Sequence, residues 1–381
     1  MSKYDAIVVG GGVVGMSTAY HLVCQGAKTL LLDRRDTGRA TDAGAGILAA
    51  DTYSGDSEDW FHLGIAASAY YPHLIEQLQS EQNGNNETGY ALCGKLTVAV
   101  SAAEIEPFEQ SRDRIFARQQ RRGLPAHEDL YELSPDEARK LFPPLAQVHR
   151  ALYYRKAARV DGRLLANALQ RAAEQRGLTV EQLSVDQLLL SGNAVAGVMA
   201  NGQTFEANRV AIAGGAWSQA FGEVLGVQIP VEPQRGQIIH LDLPDINTAN
   251  WPIVNAFRDH YMVPWSNHRV VAGATRESGA GFNVHTTAAG VHETLGEALR
   301  VAPGLGQAQI REIRIGLRPV SADLLPVLGA VPHWENIYLA TGHGASGLQL
   351  GPFSGKIIAE LMLDQSPQID ITAFHIARFA N

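Results

Sequence analysis

The sequence predicts an α/β fold in which a domain built on a parallel sheet is interrupted by insertions that form a second domain with a mixed sheet. Residues 6–9 form a largely β-branched run, residues 13–25 are apolar with helical periodicity, and residues 29–32 form a second buried strand. The same α/β character returns at residues 209–213 and 337–340, whereas the segments between alternate as sheet strands do. A chain of 381 residues is long enough for about two or three domains.

The remaining elements follow from hydrophobic periodicity and from breaks in it. Helices are predicted at residues 57–82, 104–122, 164–176 and 351–363, and further strands at residues 96–100, 237–241, 261–263 and 269–272. We interpret the polar stretch 81–86 as a crossing between domains. The predicted division assigns residues 1–84, 151–225 and 321–381 to the first domain, and residues 85–150 and 226–320 to the second.

The composition argues against several classes of function. A formal net charge of −8 disfavours nucleic acid or an anionic membrane surface as the main partner. The two cysteines, Cys24 and Cys93, are too few for a disulfide framework and lack metal-ligand spacing. Neither a signal peptide nor an apolar stretch of the roughly 20 residues needed to cross a bilayer is visible. We therefore expect a cytoplasmic protein without a transmembrane segment.

A glycine-rich turn lies between the first predicted strand and the first predicted helix. Its sequence, Gly10-Gly11-Gly12-Val13-Val14-Gly15, fits the G-x-G-x-x-G pattern of dinucleotide-binding proteins. Gly10 permits a tight turn, Gly12 lets a pyrophosphate approach the backbone, and Gly15 lets the helix pack against the strand. The free N–H groups at the helix start, including those of Val13 and Val14, would then face the phosphates.

An acidic residue at the end of the next strand supports the same interpretation. Asp33 lies about where a carboxylate accepts hydrogen bonds from ribose hydroxyls. Arg34 and Arg35 would suit a 2′-phosphate, but Asp33 at the ribose position disfavours that alternative. The turn and Asp33 together predict a bound dinucleotide, and they do not separate FAD from NAD.

Five further segments carry a resemblance to a known family. They are Ala40-Thr41-Asp42-Ala43-Gly44-Ala45-Gly46, Val160-Asp161-Gly162, Val210-Ala211-Ile212-Ala213-Gly214-Gly215-Ala216-Trp217, Gly316-Leu317-Arg318-Pro319 and Gly342-His343-Gly344-Ala345-Ser346-Gly347, with Pro233-Gln234-Arg235-Gly236-Gln237 as a weaker sixth. In this order the chain resembles the D-amino-acid oxidase superfamily of flavoenzymes, in particular its glycine oxidase and D-amino-acid dehydrogenase branch. The resemblance implies a Rossmann-like FAD-binding domain interrupted by a mixed-sheet substrate-binding domain.

The resemblance also implies FAD and the residues that contact it. The small residues at 43–46 would let the backbone approach the flat isoalloxazine ring, and a helix amino terminus near 344–348 would stabilise negative charge on the reduced ring. Because both cysteines precede the region in which some relatives attach the flavin, we predict non-covalent FAD. Beyond the glycine turn and Asp33, the predicted cofactor residues are Arg34, Thr41, Ala43, Gly44, Ala45, Gly46, Gly214, Gly215, Trp217, Gly344, Ala345, Ser346, Gly347 and Leu348.

For the substrate, the resemblance assigns Arg318 to an amino-acid carboxylate and Tyr261 to its support. A guanidinium meets both carboxylate oxygens and stays charged when desolvated. The implied reaction oxidises a small amino acid, a D-amino acid or glycine, by hydride transfer to flavin N5. His343 is a weaker candidate for a base than for a structural histidine, and Trp251, Trp265 and Arg258 are minor candidates for lining the pocket. Some relatives place an arginine near the position of Ala345, so their side-chain specificity cannot be transferred.

Three alternatives remain open from the sequence. The substrate could be sarcosine, another N-methyl amino acid or a 2-hydroxy acid. The chain could instead be a flavin-binding subunit of a heteromeric dehydrogenase that passes electrons to a partner. An NAD-only dehydrogenase is the third. The electron acceptor, oxygen or another molecule, and the oligomeric state are not predicted.

Overall fold

The computed structural model describes residues 3–81, 87–125 and 127–380 and contains a first sheet of eight strands. Five strands run parallel in the spatial order 179–181, 29–32, 4–9, 203–212 and 337–341. This order confirms the predicted α/β fold and creates a switch point between the first strand and residues 203–212. The bounds of the eight strands are Tyr4–Val9, Thr29–Leu32, Thr179–Glu181, Val185–Ser191, Ala194–Ala200, Gln203–Ile212, Val327–Ala330 and Ile337–Thr341.

Both faces of this first sheet are covered, which explains why its parallel strands are continuously apolar in sequence. On one face, Val8 and Ala211 pack against the helices, including Leu169 and Ile357. On the other face, Ile7, Val210 and Leu339 pack against an antiparallel hairpin array that includes Leu188 and Val198. The predicted strands at 6–9, 29–32, 209–213 and 337–340 are confirmed in this sheet, whereas the hairpin array was not predicted.

The second sheet is mixed and also has eight strands. Its longest contact is the antiparallel pairing of Val231–Asp242 with Gln309–Ser321. The strand Ile253–Ala256 runs parallel to Lys95–Ala99, and the other described pairs are antiparallel. A small third sheet joins Ile47–Leu48, Ala91–Leu92 and Ala158–Arg159. The second sheet consists of Lys95–Ala99, Leu130–Leu133, Arg150–Tyr154, Val231–Asp242, Ile253–Ala256, Tyr261–Trp265, Arg269–Gly273 and Gln309–Ser321.

The predicted helices are present, with one start displaced. The helix predicted at 351–363 begins at Gly347, so Pro352 lies inside the helix, in its second turn. The polar stretch 81–86 lies outside the described residues beyond Glu81. None of the described helices combines the length and apolar character that a bilayer crossing requires. The α-helices are Val13–Cys24, Ala40–Ala43, Glu58–Glu81, Ile105–Arg121, Pro135–Leu141, Gly162–Gln175, Gly222–Leu225, Ala288–Val301 and Gly347–Met362.

The helix Gly347–Met362, which we call the cavity helix, is fastened to its neighbours by contacts that its sequence requires. Pro352 has no N–H, so the carbonyl of Leu348 loses the hydrogen bond that a helix normally supplies from four residues ahead. The buried hydroxyl of Tyr71 donates to that carbonyl instead. A Cβ on Gly355 would lie 2.6 Å from Ser17 Cβ, so the close crossing with the first helix requires glycine there.

Replacing Tyr71 with phenylalanine is expected to lower the free energy of unfolding by about 1–3 kcal/mol, because it leaves a buried carbonyl without a donor. Pro352→Ala restores an N–H four residues after Leu348, so the loss caused by Tyr71→Phe should shrink in that background. Denaturant unfolding of the four proteins of this double-mutant cycle measures the coupling. An equal loss in both backgrounds would show that the tyrosine does not replace the missing helical bond.

Candidate active site

A long cavity opens at the carboxyl ends of the parallel strands and extends to the second sheet. Of the residues predicted from the sequence, it is lined by Gly10, Gly12, Val13, Val14, Asp33, Arg34, Thr41, Ala43, Gly44, Ala45, Gly46, Gly214, Gly215, Trp217, Tyr261, Arg318, Gly344, Ala345, Gly347 and Leu348. Ligands of open α/β sheets bind at such a switch point. The fold therefore brings nearly all of the predicted site residues to one place.

The glycine turn has the tight packing that its sequence predicts. Gly10 has φ +107°, and a Cβ there would lie 2.4 Å from the carbonyl oxygen of Ala213. A Cβ on Gly15 would lie 1.9 Å from the Gly10 carbonyl oxygen, so Gly15 acts by letting the helix approach the turn and does not itself line the cavity. Because the helix packs closely against the strand, the amino terminus of the helix points toward the cavity.

The amino terminus of the first helix offers N–H groups without a capping side chain on Gly12. Thr41 Oγ1 instead accepts a hydrogen bond of 3.0 Å from the N–H of Val13. A Cβ on Gly12 would lie 3.2 Å from that same oxygen. Thr41 therefore lies over the helix amino terminus, where a phosphate is favoured by the free N–H groups and the helix dipole.

Asp33 lies at the edge of the glycine turn, as the sequence predicts, but it has a partner that the sequence did not reveal. Arg39 Nη1 donates to Asp33 Oδ2 at 2.7 Å, and Arg39 Nε donates to Asp42 at 3.0 Å. A Cβ on Gly11 would lie 2.7 Å from Asp33 Oδ2. A carboxylate has about four acceptor sites, so Asp33 can hold Arg39 and still accept hydroxyl groups.

The glycines predicted to contact the cofactor serve two different purposes. Gly46 has φ +76°, and a Cβ there would lie 1.7 Å from the Val160 carbonyl, so glycine is required by contact with the protein itself. A Cβ on Gly44 would likewise lie 2.5 Å from the side chain of Leu348. Gly215 and Gly344, in contrast, have positive φ angles and no heavy atom within 4 Å of the added Cβ. At those two positions the backbone borders open space in the cavity.

Arg318 lies at the end of the cavity formed by the second sheet. Its Nη1 donates to the carbonyl of Thr275 at 2.8 Å and lies 3.4 Å from Gln234 Oε1. A Cβ on Gly236 would lie 2.6 Å from both terminal guanidinium nitrogens, so Gly236 makes room for the charged group. Burial lowers the pKa of Arg318. Within the described ranges, no carboxylate forms an ion pair with this guanidinium, which leaves a partly buried positive charge available to an anion.

Tyr261 stands beside Arg318 in this part of the cavity. Its ring packs against the backbone of Gly273, where a Cβ would lie 2.8 Å from ring atoms. Burial raises the pKa of Tyr261, while the positive charges of Arg318 and Arg276 act in the opposite direction. The hydroxyl is therefore neutral near pH 7 and can donate a hydrogen bond to an anion that Arg318 holds.

His343 borders the cavity near the start of the cavity helix. The side chain is 5% exposed, and its Nε2 has no hydrogen-bond partner among the described residues. Burial lowers its pKa to about 4. The imidazole is therefore neutral near pH 7, with a buried polar atom that a ligand in the cavity could satisfy.

Several predicted or suggested residues lie away from the cavity lining, and others were missed. Ser346 precedes the cavity helix but does not line the cavity, and Arg258 forms an ion pair with Glu297 at 3.0 Å. Trp251 and Trp265 are buried in apolar clusters with residues of the second sheet. Lining residues that the sequence did not single out include Arg39, Asp259 and Arg276. Their positions follow from turns and strand pairing, which residue spacing alone does not define.

The fold and this glycine-lined cavity define a dinucleotide-binding oxidoreductase of the Rossmann type. Residues 5–361 match the DAO family model, described as FAD dependent oxidoreductase. The chain belongs to this family of FAD-dependent oxidoreductases, as the sequence resemblance implies, and the match confirms that interpretation.

Individual relatives cover nearly the full chain. The uncharacterized oxidoreductase YurR of Bacillus subtilis (strain 168) is 39% identical over 97% of both chains. A crystal structure of iminodiacetate oxidase (IdaA) from Chelativorans sp. BNC1 has a TM-score of 0.91 and 36% identity, and covers 97% of this chain and 98% of its own. Glycine oxidase from Geobacillus kaustophilus has a TM-score of 0.88 and 26% identity, with both chains fully covered.

FAD is the cofactor of this family, and the described residues fit it. The glycine turn provides a cradle that a Cβ would fill, and the amino termini of two helices border the cavity. The unpartnered Nε2 of His343 marks a further polar position in the same lining. Neither Cys24 nor Cys93 lines the cavity, which supports the prediction of a non-covalent flavin.

Gly15→Ala is expected to abolish or strongly reduce FAD retention, because the new methyl group would collide with the Gly10 carbonyl and open the turn. Gly296→Ala is the matched control, since its Cβ would meet nothing within 4 Å on an exposed helix. The ratio of flavin to protein absorbance in the purified proteins measures the difference. Equal flavin content in the two variants would contradict this account of the turn.

The low pKa of His343 predicts acid sensitivity. Its pKa is about 4 in the folded protein against about 6.5 unfolded, so the unfolded chain binds more protons between these values. The stability contribution is present above pH 6.5 and is lost as the pH falls toward 4. In His343→Gln, the dependence of unfolding free energy on pH should be shallower in this window. His21 and His240, with pKa values near 3, would keep part of the slope.

Proposed function

We propose that this chain oxidises the carbon–nitrogen bond of a small amino acid, either glycine, a D-amino acid or an N-substituted glycine, to the imino acid. The observation that carries the proposal is the partly buried guanidinium of Arg318, which has no carboxylate partner among the described residues and lies next to Tyr261. An α-carboxylate fits this arrangement in charge and in hydrogen-bonding geometry. Relatives named glycine oxidase and iminodiacetate oxidase support an amine substrate.

In the proposed mechanism, the chain binds and orients while the cofactor provides the redox chemistry. When bound, FAD would supply the acceptor for the two electrons that leave the substrate. Arg318 and Tyr261 hold the carboxylate, which restricts the amine-bearing carbon to one part of the cavity. The amino terminus of the cavity helix, with Gly347 and Leu348 in the lining, stabilises negative charge that develops nearby. His343 is neutral and can accept a hydrogen bond there.

A secondary amine is favoured as one form of this substrate. Iminodiacetate, named in the structure that is 36% identical to this chain, carries its nitrogen between two carbon substituents. Sarcosine and other N-methyl amino acids share this feature. We include them in the proposal beside glycine and the D-amino acids.

We propose that cofactor binding and substrate binding are divided between the two large sheets. Residues 1–84, 151–225 and 321–381 would hold FAD, and residues 85–150 and 226–320 would hold the substrate. The boundary at 150/151 cuts through the strand Arg150–Tyr154, which pairs with strands of the second sheet. We further propose that oxygen or another acceptor, such as a partner subunit, would receive the electrons.

Arg318→Ala is expected to raise the substrate concentration needed for half-maximal flavin reduction by roughly ten- to a hundredfold, because a charge-assisted pair contributes about 1.5–3 kcal/mol. The measurement is anaerobic bleaching of the flavin by glycine, sarcosine, and D- and L-amino acids. Arg311→Ala is the matched control, because it removes an exposed arginine from the same strand.

The outcomes discriminate among the parts of the proposal. Bleaching by L-amino acids alone would reject the predicted stereochemistry. An unchanged concentration dependence in Arg318→Ala would reject this residue as the carboxylate anchor. A yellow protein that no amine reduces would instead favour a flavin-binding subunit that depends on a partner.

A further inference from the structure

A second arginine, Arg276, lines the same end of the cavity as Arg318. It follows the strand Arg269–Gly273, in a segment that pairs with the strand Val231–Asp242. Glu277 N donates to the Arg235 carbonyl at 2.9 Å, and Arg235 N donates to the Glu277 carbonyl at 3.2 Å. The backbone on which Arg276 stands is thus held by the second sheet rather than left in a free loop.

The alternation of side chains in this segment points Arg276 into the cavity. Ala274 and Arg276 belong to the lining, whereas Thr275 and Glu277 do not. Thr275 and Glu277 contact the opposite face, where Thr275 Oγ1 accepts from the backbone N–H of Gln237 at 3.0 Å. The pairing register therefore places Arg276 on the same side as Gly236, above which Arg318 lies.

The nearest acidic residue in sequence does not neutralise Arg276, because its carboxylate is occupied. Glu277 Oε2 accepts from Arg235 Nη2 at 2.6 Å, and Glu277 Oε1 accepts from Gln237 Nε2 and Thr275 Oγ1, each at 2.7 Å. All of these partners lie on the face away from the cavity. Glu277 thus neutralises Arg235 and leaves the positive charge of Arg276 at the cavity.

Within the described ranges, the ion-pair partner of Arg276 is Asp259, with Nε and Oδ2 3.4 Å apart. The Asp259 side chain is 74% exposed and that of Arg276 is 42% exposed. Such an exposed pair contributes at most about 1 kcal/mol. An anion in the cavity can therefore take the place of Asp259 at little cost.

Arg318 and Arg276 are connected through one residue. Arg318 Nη1 donates to the carbonyl of Thr275, whose peptide bond leads directly to Arg276. The two cations are close enough that the charge of Arg276 lowers the pKa of Arg318. A small ligand bound by Arg318 would therefore lie within the field of a second guanidinium, and a dianion would relieve the repulsion between the two.

We propose that Arg276 binds a second carboxylate of the substrate, so that the preferred substrates are small amines carrying two carboxylates. This inference rests on the proposed function and deepens it, with Arg318 holding one carboxylate and Arg276 the other. The second carboxylate could stand on the nitrogen substituent, as in iminodiacetate, or at the end of a side chain, as in D-aspartate and D-glutamate. Arg276 then determines specificity without taking part in the oxidation.

The kinetic test compares matched pairs of amines on the FAD-loaded enzyme. Iminodiacetate is paired with sarcosine, and D-aspartate and D-glutamate are paired with D-alanine. The wild-type enzyme should show a higher kcat/KM for a dicarboxylate than for its partner. Arg276→Gln should lower that ratio by roughly ten- to a hundredfold, and Arg276→Lys should restore part of it. The dicarboxylate type with the higher kcat/KM identifies whether the second carboxylate lies on the nitrogen substituent or at the end of the side chain.

Binding of inert ligands gives a readout that does not depend on turnover. Diglycolate and methoxyacetate have no oxidisable amine and differ by one carboxylate. Diglycolate should perturb the flavin spectrum at a lower concentration than methoxyacetate in the wild type, and this advantage should be lost in Arg276→Gln. Asp259→Asn, at an exposed position, should strengthen diglycolate binding because it removes the competing carboxylate. Arg311→Gln is the control for an arginine outside the cavity.

The outcomes separate this inference from the proposed function. If glycine or sarcosine reduces the flavin but the dicarboxylates have no Arg276-dependent advantage, the inference is overturned and the amine oxidation stands. If no amine reduces the flavin while diglycolate binds in an Arg276-dependent manner, the second anion position stands and the proposed reaction fails. Equal losses for both members of each pair in Arg276→Gln would mean that this arginine only supports the fold of the site.

Discussion

The pairing of Val231–Asp242 with Gln309–Ser321 is the constraint on which the site depends. It places Gly236 beneath the guanidinium of Arg318 and gives the segment with Arg276 a strand to pair with. The same pair reaches the cofactor side, because Leu317 N donates to the Gly38 carbonyl at 2.8 Å and Val320 forms a bridge with His343. One long antiparallel ladder thus fixes the positions of Arg318 and Arg276 relative to the part of the cavity that the glycine turn lines.

Local patterns were sufficient to predict the glycine turn and the parallel strands around it. The glycine turn, the buried strands and Asp33 follow one another within 33 residues, so their relative positions are set by one strand–turn–helix–strand unit. A further local signal was available but was not used. Asn201-Gly202 have φ angles of 46° and 75° and join two strands directly, as a two-residue hairpin turn requires. Recognising it would have predicted part of the hairpin array.

The residues proposed to bind the substrate could not be predicted from local patterns in the same way. Arg318 was found through resemblance, because a single arginine before a proline has no distinctive spacing. Arg276 gave no signal, since its direction depends on the register between residues 275–277 and a strand about 40 residues earlier. A shift of that register by one residue would turn Glu277 toward the cavity and reverse the local charge. Such long-range information is absent from the periodicity of either segment.

The charge of the whole chain and the charge of the site have opposite signs, and the sheet explains how both can persist. The formal net charge is −8, yet the cavity end formed by the second sheet presents two guanidinium groups. Arg235 and Glu277 neutralise each other on the far face. On the cavity face, Arg318 has no carboxylate partner among the described residues and Arg276 has the exposed Asp259, so the sheet separates a neutralised layer from one that is only partly neutralised. Because alternate residues of a strand face opposite sides, substitutions at the cavity positions can change the charge of the pocket without disturbing the neutralised layer. Under the proposal that Arg318 and Arg276 each hold one carboxylate, the number of arginines at the cavity-facing positions sets the number of carboxylates that the pocket accepts.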